Sequence, residues 1–158
     1  MVLYLAIFLL IVAFDLVTKS MITASFSLGQ SKNIIKGILD FTYIRNEGAA
    51  FGMLQGARVF FIILTVVVAI LLVLYLKKVK PTSPLEKTAL AFIAGGAIGN
   101  FVDRVYFGYV RDFIAVKFID FPVFNVADCF VCTGAGLFIL YTLLDTCKNK
   151  GEEAKADE

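Results

Sequence analysis

An uninterrupted apolar run constrains the fold of this chain more than any other feature. It reads VFFIILTVVVAILLVLYL and occupies residues 59–76, without one charged side chain. About 20 such residues cross the hydrocarbon core of a bilayer as a helix, which satisfies its backbone hydrogen bonds internally. The sequence therefore predicts a membrane-spanning helix at residues 58–77.

Three further stretches without charged side chains favour the same interpretation. They cover residues 1–14, 88–102 and 129–144, and each reaches spanning length when a charged residue at one end enters the membrane zone. Hydrophobic residues make up 59% of the chain, more than a soluble domain of 158 residues can bury in one core. The sequence predicts an all-α membrane protein with four transmembrane helices, at residues 2–23, 58–77, 86–104 and 126–146.

These spans are expected to form one membrane domain, residues 1–147, followed by a polar tail at 148–158. The low hydrophobicity of the tail predicts disorder. The first span lacks a basic leading region and a small-residue cleavage site, which favours a retained helix over a signal peptide. Basic residues are nearly balanced between the two sides, and the cluster Lys77–Lys80 favours cytoplasmic termini. A net charge of +2 without an aromatic-interleaved basic stripe argues against a nucleic-acid partner.

The largest region outside the spans, residues 25–57, carries strand signals. Apolar and polar residues alternate from Leu39 to Tyr43, the period of a half-exposed strand, and a turn is expected at Asn46–Gly48. Residues 113–124 are also extended in character, since Pro122 disfavours a helix there. The sequence predicts that both stretches join a small β-sheet on one membrane face.

Composition narrows the possible chemistry. The chain has no histidine, which excludes His-based triads and histidine metal sites, and three scattered cysteines do not form a zinc site. We expect no metal and no cofactor. The pair Cys129 and Cys132 suggests an alternative, a four-helix thiol oxidoreductase, but such an enzyme needs a second cysteine pair and only Cys147 remains. Small, buried, hydrophobic cysteines are the favoured interpretation.

Two aspartates are candidates for acid–base chemistry. Asp128 lies three residues after Asn125, as in a helix N-terminal capping arrangement, and Asp112 lies among apolar residues just after the third span. The segment between them is short enough to fold back and bring the two carboxylates together. Two close carboxylates in an apolar site share a proton, which suits hydrolysis without a nucleophilic side chain. Asp120 is expected to be exposed and uninvolved.

Other ionisable residues lie near the predicted span ends. Asp15 and Lys19 are one helical turn apart and are expected to pair, and Asp103 and Arg104 end the third span. Arg104 either complements the helix dipole or donates hydrogen bonds to a substrate. A proton or ion carrier would use Asp15, Asp103 and the two candidates above as a relay through the membrane. Clustering of Asp112 and Asp128 at one face would instead favour hydrolysis.

Five motifs in order and spacing resemble the lipoprotein signal peptidase (signal peptidase II) family. They are DLVTK at 15–19, NEGAAFG at 46–52, GNFVDR at 99–104, GYVRDFI at 108–114 and FNVAD at 124–128. The resemblance implies four helices with an extracytoplasmic β-cradle in the bacterial cytoplasmic membrane, with both termini cytoplasmic. It also implies an aspartyl endopeptidase that cleaves prolipoproteins N-terminal to a diacylglyceryl-modified cysteine.

The resemblance also assigns residue roles. It places the catalytic dyad at Asp112 and Asp128, substrate contacts at Asn46, Asn100, Arg104 and Asn125, and structural roles at Asp15, Lys19, Gly48 and Asp103. The implied partners are diacylglyceryl-modified prolipoproteins, membrane lipid and inhibitors of the globomycin type.

Overall fold

The computed structural model of the chain describes residues 2–48 and 53–156, with side chains described up to Lys150. Within these residues the chain forms four helices and three strands: α1 Val2–Ser25, β1 Ser31–Ile35, β2 Leu39–Asn46, α2 Arg58–Val79, α3 Pro84–Tyr106, β3 Val110–Val116 and α4 Val126–Ala156. All four predicted helices are present. Residues 49–52 of the NEGAAFG motif, including Phe51, lie outside the described residues.

Three of the four described helices, α1, α2 and α4, are long and apolar enough to cross a bilayer. The exception, α3, carries Glu86 and Lys87 in its first turn and Asp103 and Arg104 near its end. It packs against each of the other three helices and has more buried residues than α1 or α2. Helix α3 is therefore the central element of the described bundle.

The glycines of α3 allow this central packing. A β-carbon at Gly95 would lie 2.8 Å from Cγ2 of Ile11 on α1, and one at Gly96 would collide with the carbonyl oxygen of Ala127 on α4. A β-carbon at Gly99 would collide with the carboxylate of Asp15. Small residues on α3 thus permit the close approach of the neighbouring helices. At Gly99 the absent side chain also leaves room for a buried charge.

The predicted disorder of the tail is wrong for residues 148–156, because α4 continues to Ala156. This stretch contains Glu, Ala and Lys, which are good helix formers. A helix that is already formed extends without paying the cost of a new nucleus. The polar tail therefore prolongs the last span as helix.

The sheet has the order β1–β2–β3, and both pairs are antiparallel. The predicted strand at Leu39–Tyr43 is confirmed and runs on to Asn46. The other predicted stretch, residues 113–124, joins the same sheet through β3, which begins earlier, at Val110, and ends at Val116. Strand β1, sequence SKNII, is exposed along its whole length and lacks the alternating pattern, so it was not predicted. Ile22, Tyr43 and Phe113 form a buried cluster that fastens the sheet to the end of α1.

The chain after β3 returns along the same strand. The backbone N–H groups of Phe113 and Ile114 donate to the carbonyl of Phe124, and the N–H of Phe124 donates back to Ile114. Helix α4 begins two residues later, at Val126. This return brings the first turn of α4 beside β3.

Candidate active site

Asp112 lies on β3 opposite Ile44, and its side chain is almost fully buried (1% exposed). Its two oxygens accept hydrogen bonds from different asparagines. The Nδ2 group of Asn125 donates to Oδ1 at 2.6 Å, and the Nδ2 group of Asn46 donates to Oδ2 at 2.8 Å. The apolar neighbours noted in the sequence enclose this carboxylate, and the two amides supply the polar partners that burial requires.

Asp128 lies in the first turn of α4 and forms the predicted capping arrangement with Asn125. The backbone N–H of Asn125 donates to Oδ2 of Asp128 at 3.1 Å, and the backbone N–H of Asp128 donates to Oδ1 of Asn125 at 3.0 Å. The prediction is confirmed. Asn125 also donates to Asp112, so one residue holds both carboxylates.

Asn100, on α3, completes the polar group. Its Nδ2 donates to Oδ1 of Asp128 at 2.7 Å. Its Oδ1 accepts from Nδ2 of Asn125 at 3.0 Å and from Nζ of Lys19 at 2.9 Å. The amides of Asn46, Asn100 and Asn125 thus surround the two carboxylates and fix their positions.

Burial and the neighbouring charge of Asp128 raise the pKa of Asp112 to about 7, from an ordinary value of 3.8. The hydrogen bonds donated by Asn46 and Asn125 act in the opposite direction, since they stabilise the ionised carboxylate. Burial and like-charge repulsion outweigh these donors. Asp112 therefore holds a proton up to about neutral pH.

Four buried charged residues lie beside the carboxylates. Lys19 contacts Asp15 at 2.7 Å and Asp103 at 3.6 Å, which confirms the predicted pairing within α1. Asp103 also accepts from Arg111, whose Nη2 lies 2.6 Å from Oδ1 and whose backbone N–H donates to Oδ2. Asp15 accepts from the backbone N–H of Ala127, at the start of α4. This cluster joins α1, α3, α4 and β3 and balances two positive charges against two negative ones.

Sequence reasoning missed the part played by Arg111. A signal was available, because a buried Asp103 requires a cation and Arg111 follows it by eight residues, next to the candidate Asp112. Successive strand residues point to opposite faces, so Arg111 turns to α3 while Asp112 turns to the asparagines. Both faces of β3 are covered there, and both side chains are buried.

Arg104 lies at the edge of this polar group. Its Nη2 donates to the carbonyl of Gly48 at 3.2 Å, and its guanidinium lies over the ring of Phe61, 4.6 Å from the centroid. The N–H of Gly48 donates to Oδ1 of Asn46, which confirms the predicted turn. Arg58 satisfies the last carbonyls of α3, at Arg104 and Val105. Arg104 thus connects α3 to α2 and to the end of β2.

A groove of about 790 Å³ opens onto the two carboxylates. At its polar end lie six predicted site residues, namely Asn46, Gly48, Asn100, Arg104, Asp112 and Asp128. The remainder runs between α2, α3 and α4 and is lined mainly by apolar side chains, among them Phe61, Leu64, Val68, Ile93, Ala97 and Val131. A polypeptide in extended conformation would fit this groove if the peptide bond beside the carboxylates were joined to an apolar segment that fills the rest of the groove.

The other candidates are placed differently. Asp120 is exposed, as predicted. Asp15 and Asp103 are fully buried in ion pairs, whereas Asp112 and Asp128 share one groove. This clustering favours hydrolysis over a relay through the membrane. In residues 2–48 and 53–150, whose side chains are described, there is no group of three or more Cys, Asp or Glu arranged to hold a metal ion.

The prediction that the cysteines are buried is wrong. Cys129, Cys132 and Cys147 are all free and exposed, and the first two face the groove. Cys129 and Cys132 are three residues apart and so lie on one face of α4. That face borders the open groove and is not covered by a neighbouring helix. Sequence alone could not show which face of an apolar helix is covered.

Comparisons with known proteins agree with this geometry. Residues 7–144 match the family model described as signal peptidase (SPase) II. A lipoprotein signal peptidase from Enterococcus faecalis is 39% identical over 145 residues, 92% of this chain and 90% of the relative. Another from Brevibacillus brevis is 43% identical over 147 residues, 93% of this chain and 99% of the relative.

Solved structures agree as well. A bacterial membrane enzyme determined at 2.3 Å by the in meso method has a TM-score of 0.88 and 38% identity, covering 92% of this chain and 90% of its own. A second, at 1.9 Å, has a TM-score of 0.84 and 37% identity, covering 90% and 94%. Three apolar helices of spanning length in the described chain are consistent with these relatives. This bacterial membrane protein belongs to the signal peptidase II family.

Proposed function

We propose that this protein is an aspartyl endopeptidase that removes the signal peptide from prolipoproteins, cutting N-terminal to a diacylglyceryl-modified cysteine. The observation that carries the proposal is the convergence of Asp112 and Asp128 at the polar end of an apolar groove. Relatives named lipoprotein signal peptidases indicate the class of substrate. The apolar part of the groove suits a signal peptide, while the lipid tails stay in the bilayer.

The two carboxylates take different roles in the proposed mechanism. Asp128 lies in the first turn of α4, at the positive end of the helix dipole, and accepts hydrogen bonds from two N–H donors. It is the general base that takes a proton from the attacking water. Asp112 keeps its proton and donates it in a hydrogen bond to the scissile carbonyl, where negative charge develops. Collapse of the intermediate returns a proton to the leaving amine.

The asparagines and Arg104 divide between substrate contact and support. Asn46, Asn100 and Arg104 border the groove and are the proposed contacts to the substrate backbone. Asn125 is fully buried, and both ends of its amide are occupied. We assign Asn125 to holding the carboxylates, in place of the substrate contact expected from the resemblance.

The membrane arrangement is also part of the proposal. All four helices span the bacterial cytoplasmic membrane, with α3 shielded by its three neighbours and its charged residues kept near its ends. The cluster Lys77–Lys80 at the end of α2 favours a cytoplasmic location for that side and for both termini. The sheet and the dyad then lie at the extracytoplasmic face. Globomycin-type inhibitors are expected to occupy the same groove.

Cleavage of a lipidated precursor tests the function directly. Purified protein in detergent or lipid is expected to release the signal peptide from a precursor whose cysteine carries diacylglyceryl, leaving the modified cysteine as the new N-terminus. Mass spectrometry of both products locates the cut. The matched control is the same precursor without the lipid, which should remain intact. A cut elsewhere, or equal cleavage of both precursors, would contradict the proposal.

The pH dependence follows from the raised pKa of Asp112. Since its pKa is about 7, the proton that the mechanism requires is present at lower pH and is lost as the pH rises through about 7. Cleavage is expected to decline over that range. Asn46→Leu removes a donor that lowers the pKa of Asp112, so the alkaline limb should move to higher pH.

The limb is read from the shape of the pH–kcat/KM profile, which reports the groups of the free enzyme and does not depend on the amount of folded enzyme. The control is Asp40→Asn, which changes a carboxylate on β2, the strand that also carries Asn46. Asp40 pairs with Lys117, so this variant should leave the alkaline limb at the same pH. A limb that stays fixed in Asn46→Leu, or moves to lower pH, would show that Asp112 does not hold the required proton.

A further inference from the structure

Lys19 is fully buried on α1, and its ammonium group contacts more than its ion-pair partner. Nζ lies 2.7 Å from Oδ2 of Asp15 and 3.6 Å from Oδ2 of Asp103. Its third contact is of a different kind, since it donates to Oδ1 of Asn100 at 2.9 Å. Asn100 in turn donates to the carboxylate of Asp128. Lys19 is therefore one hydrogen-bonded residue away from the proposed general base.

The ammonium group of Lys19 determines the orientation of the Asn100 amide in this series of hydrogen bonds. An ammonium has three donors and no acceptor, so the atom of Asn100 that faces Lys19 must be the amide oxygen. The NH₂ group of Asn100 then faces Asp128. If the amide were reversed, its NH₂ would face Lys19 and its oxygen would face a carboxylate oxygen. Both contacts would be repulsive.

The other two asparagines need no side-chain donor for their orientation. The backbone N–H of Asp128 fixes Oδ1 of Asn125, and the backbone N–H of Gly48 fixes Oδ1 of Asn46. Asn100 receives no such backbone hydrogen bond. Its oxygen accepts from the Nδ2 of Asn125 and from Lys19, and Lys19 is the charged donor, whose hydrogen bond is the stronger of the two.

We propose that Lys19 is a positioning residue for the peptidase: it holds the Asn100 amide with its N–H toward Asp128 and so keeps Asp128 ready to act as the base. This inference rests on the proposed function. It goes beyond the structural role expected for Lys19, because a lysine that merely neutralised Asp15 and Asp103 would have no effect on the orientation of Asn100.

A pH readout separates these two roles, since it reports the protonation of Asp128 and not the amount of enzyme. Besides Lys19, the charged and titratable groups near Asp128 and its Asn100 contact are Arg104, Asp103, Asp112, Asp15 and Cys129. None of these except Asp15 needs to change in the test. When Asn100 turns its oxygen to Asp128, the carboxyl group gains an acceptor for its own proton and releases it at higher pH.

The test uses the charge-neutral variant Asp15→Asn/Lys19→Met, because Lys19→Met alone would leave Asp15 as a buried unpaired charge. The new asparagine can still accept from the N–H of Ala127. With a lipidated precursor, kcat is expected to fall about 10- to 100-fold, the usual effect of losing a hydrogen bond to a charged group. KM should change less than about three-fold, and the acid limb of the pH–kcat profile should move to higher pH.

Two comparisons make the test specific. Asp15→Asn alone leaves Lys19 paired with Asp103 and keeps its hydrogen bond to Asn100, so the folded enzyme should retain most of kcat even where the variant is less stable. In an Asn100→Leu background, the change to Asp15→Asn/Lys19→Met should lower kcat less than about two-fold, since Lys19 acts through Asn100.

An unchanged kcat, a loss of kcat without movement of the acid limb, or a loss of equal size in the Asn100→Leu background would each overturn the positioning role. In those cases the wild type still cleaves and the proposed function stands. A wild type that does not cleave the lipidated precursor overturns both inferences.

Discussion

Asp112→Asn and Asp128→Asn are each expected to lower the cleavage of a lipidated precursor by about 10²- to 10⁴-fold, the usual contribution of a general acid or base. Asp112→Asn removes the proton that would polarise the scissile carbonyl. Asp128→Asn removes the base that would activate water. The effects should not multiply in the double variant, because the two groups act in one step and removing either stops it.

The measurement is kcat for release of the signal peptide, with the folded state of each variant checked by thermal unfolding. Asp120→Asn is the matched control, since Asp120 lies on the segment between the two candidates and is exposed. It should retain full activity. Full activity in Asp112→Asn or in Asp128→Asn would end the proposal that a carboxylate pair performs the hydrolysis.

The sequence predicted the parts of the site that depend on local spacing. The Asn125–Asp128 capping pair needs only the positions of two residues relative to a helix start. The Asp15–Lys19 pair needs only one helical turn. The strand from Leu39 followed from alternation, and the extended chain after α3 was expected in the same sheet. Periodicity and spacing carry such information directly.

Contacts between distant elements were not predictable in this way. Lys19 meets Asn100 across 81 positions of sequence, and the carboxylate of Asp15, its ion-pair partner, occupies the room left by the absence of a side chain at Gly99. Strand β1 has no apolar face of its own and forms through pairing with β2. The exposure of Cys129 and Cys132 depends on which face of α4 meets α3. Each of these needs the assembled bundle.

The assembled bundle also explains how buried charges are tolerated beside an apolar groove. Asp15, Lys19, Asp103 and Arg111 sum to zero charge, and each ion contacts at least one opposite charge. Their hydrogen bonds reach the start of α4 at Ala127 and, through Asn100, the carboxylate of Asp128. The cluster therefore positions the elements that carry the proposed dyad.

Loss of one charge from this cluster is expected to have the largest effect on stability. Arg111→Met should lower the free energy of unfolding by about 3–5 kcal/mol, the usual cost of removing one partner from a buried ion pair. It removes every side-chain hydrogen bond that Arg111 donates to Asp103 and leaves two buried carboxylates with Lys19. Unfolding by denaturant in detergent, followed by circular dichroism, measures the change.

Two variants identify charge balance as the cause. In Asp103→Asn/Arg111→Met the net charge returns to zero, and the new amide oxygen can still accept from the backbone N–H of residue 111. This variant should recover at least half of the loss, since removing both members of a buried pair is far less costly than removing one. Lys117→Met makes a similar change in the pair with Asp40, in which the lysine is exposed to solvent, and should cost less than about 1 kcal/mol. If the double variant were as unstable as Arg111→Met, the lost contacts of Arg111, including its packing on Phe107, would outweigh charge balance.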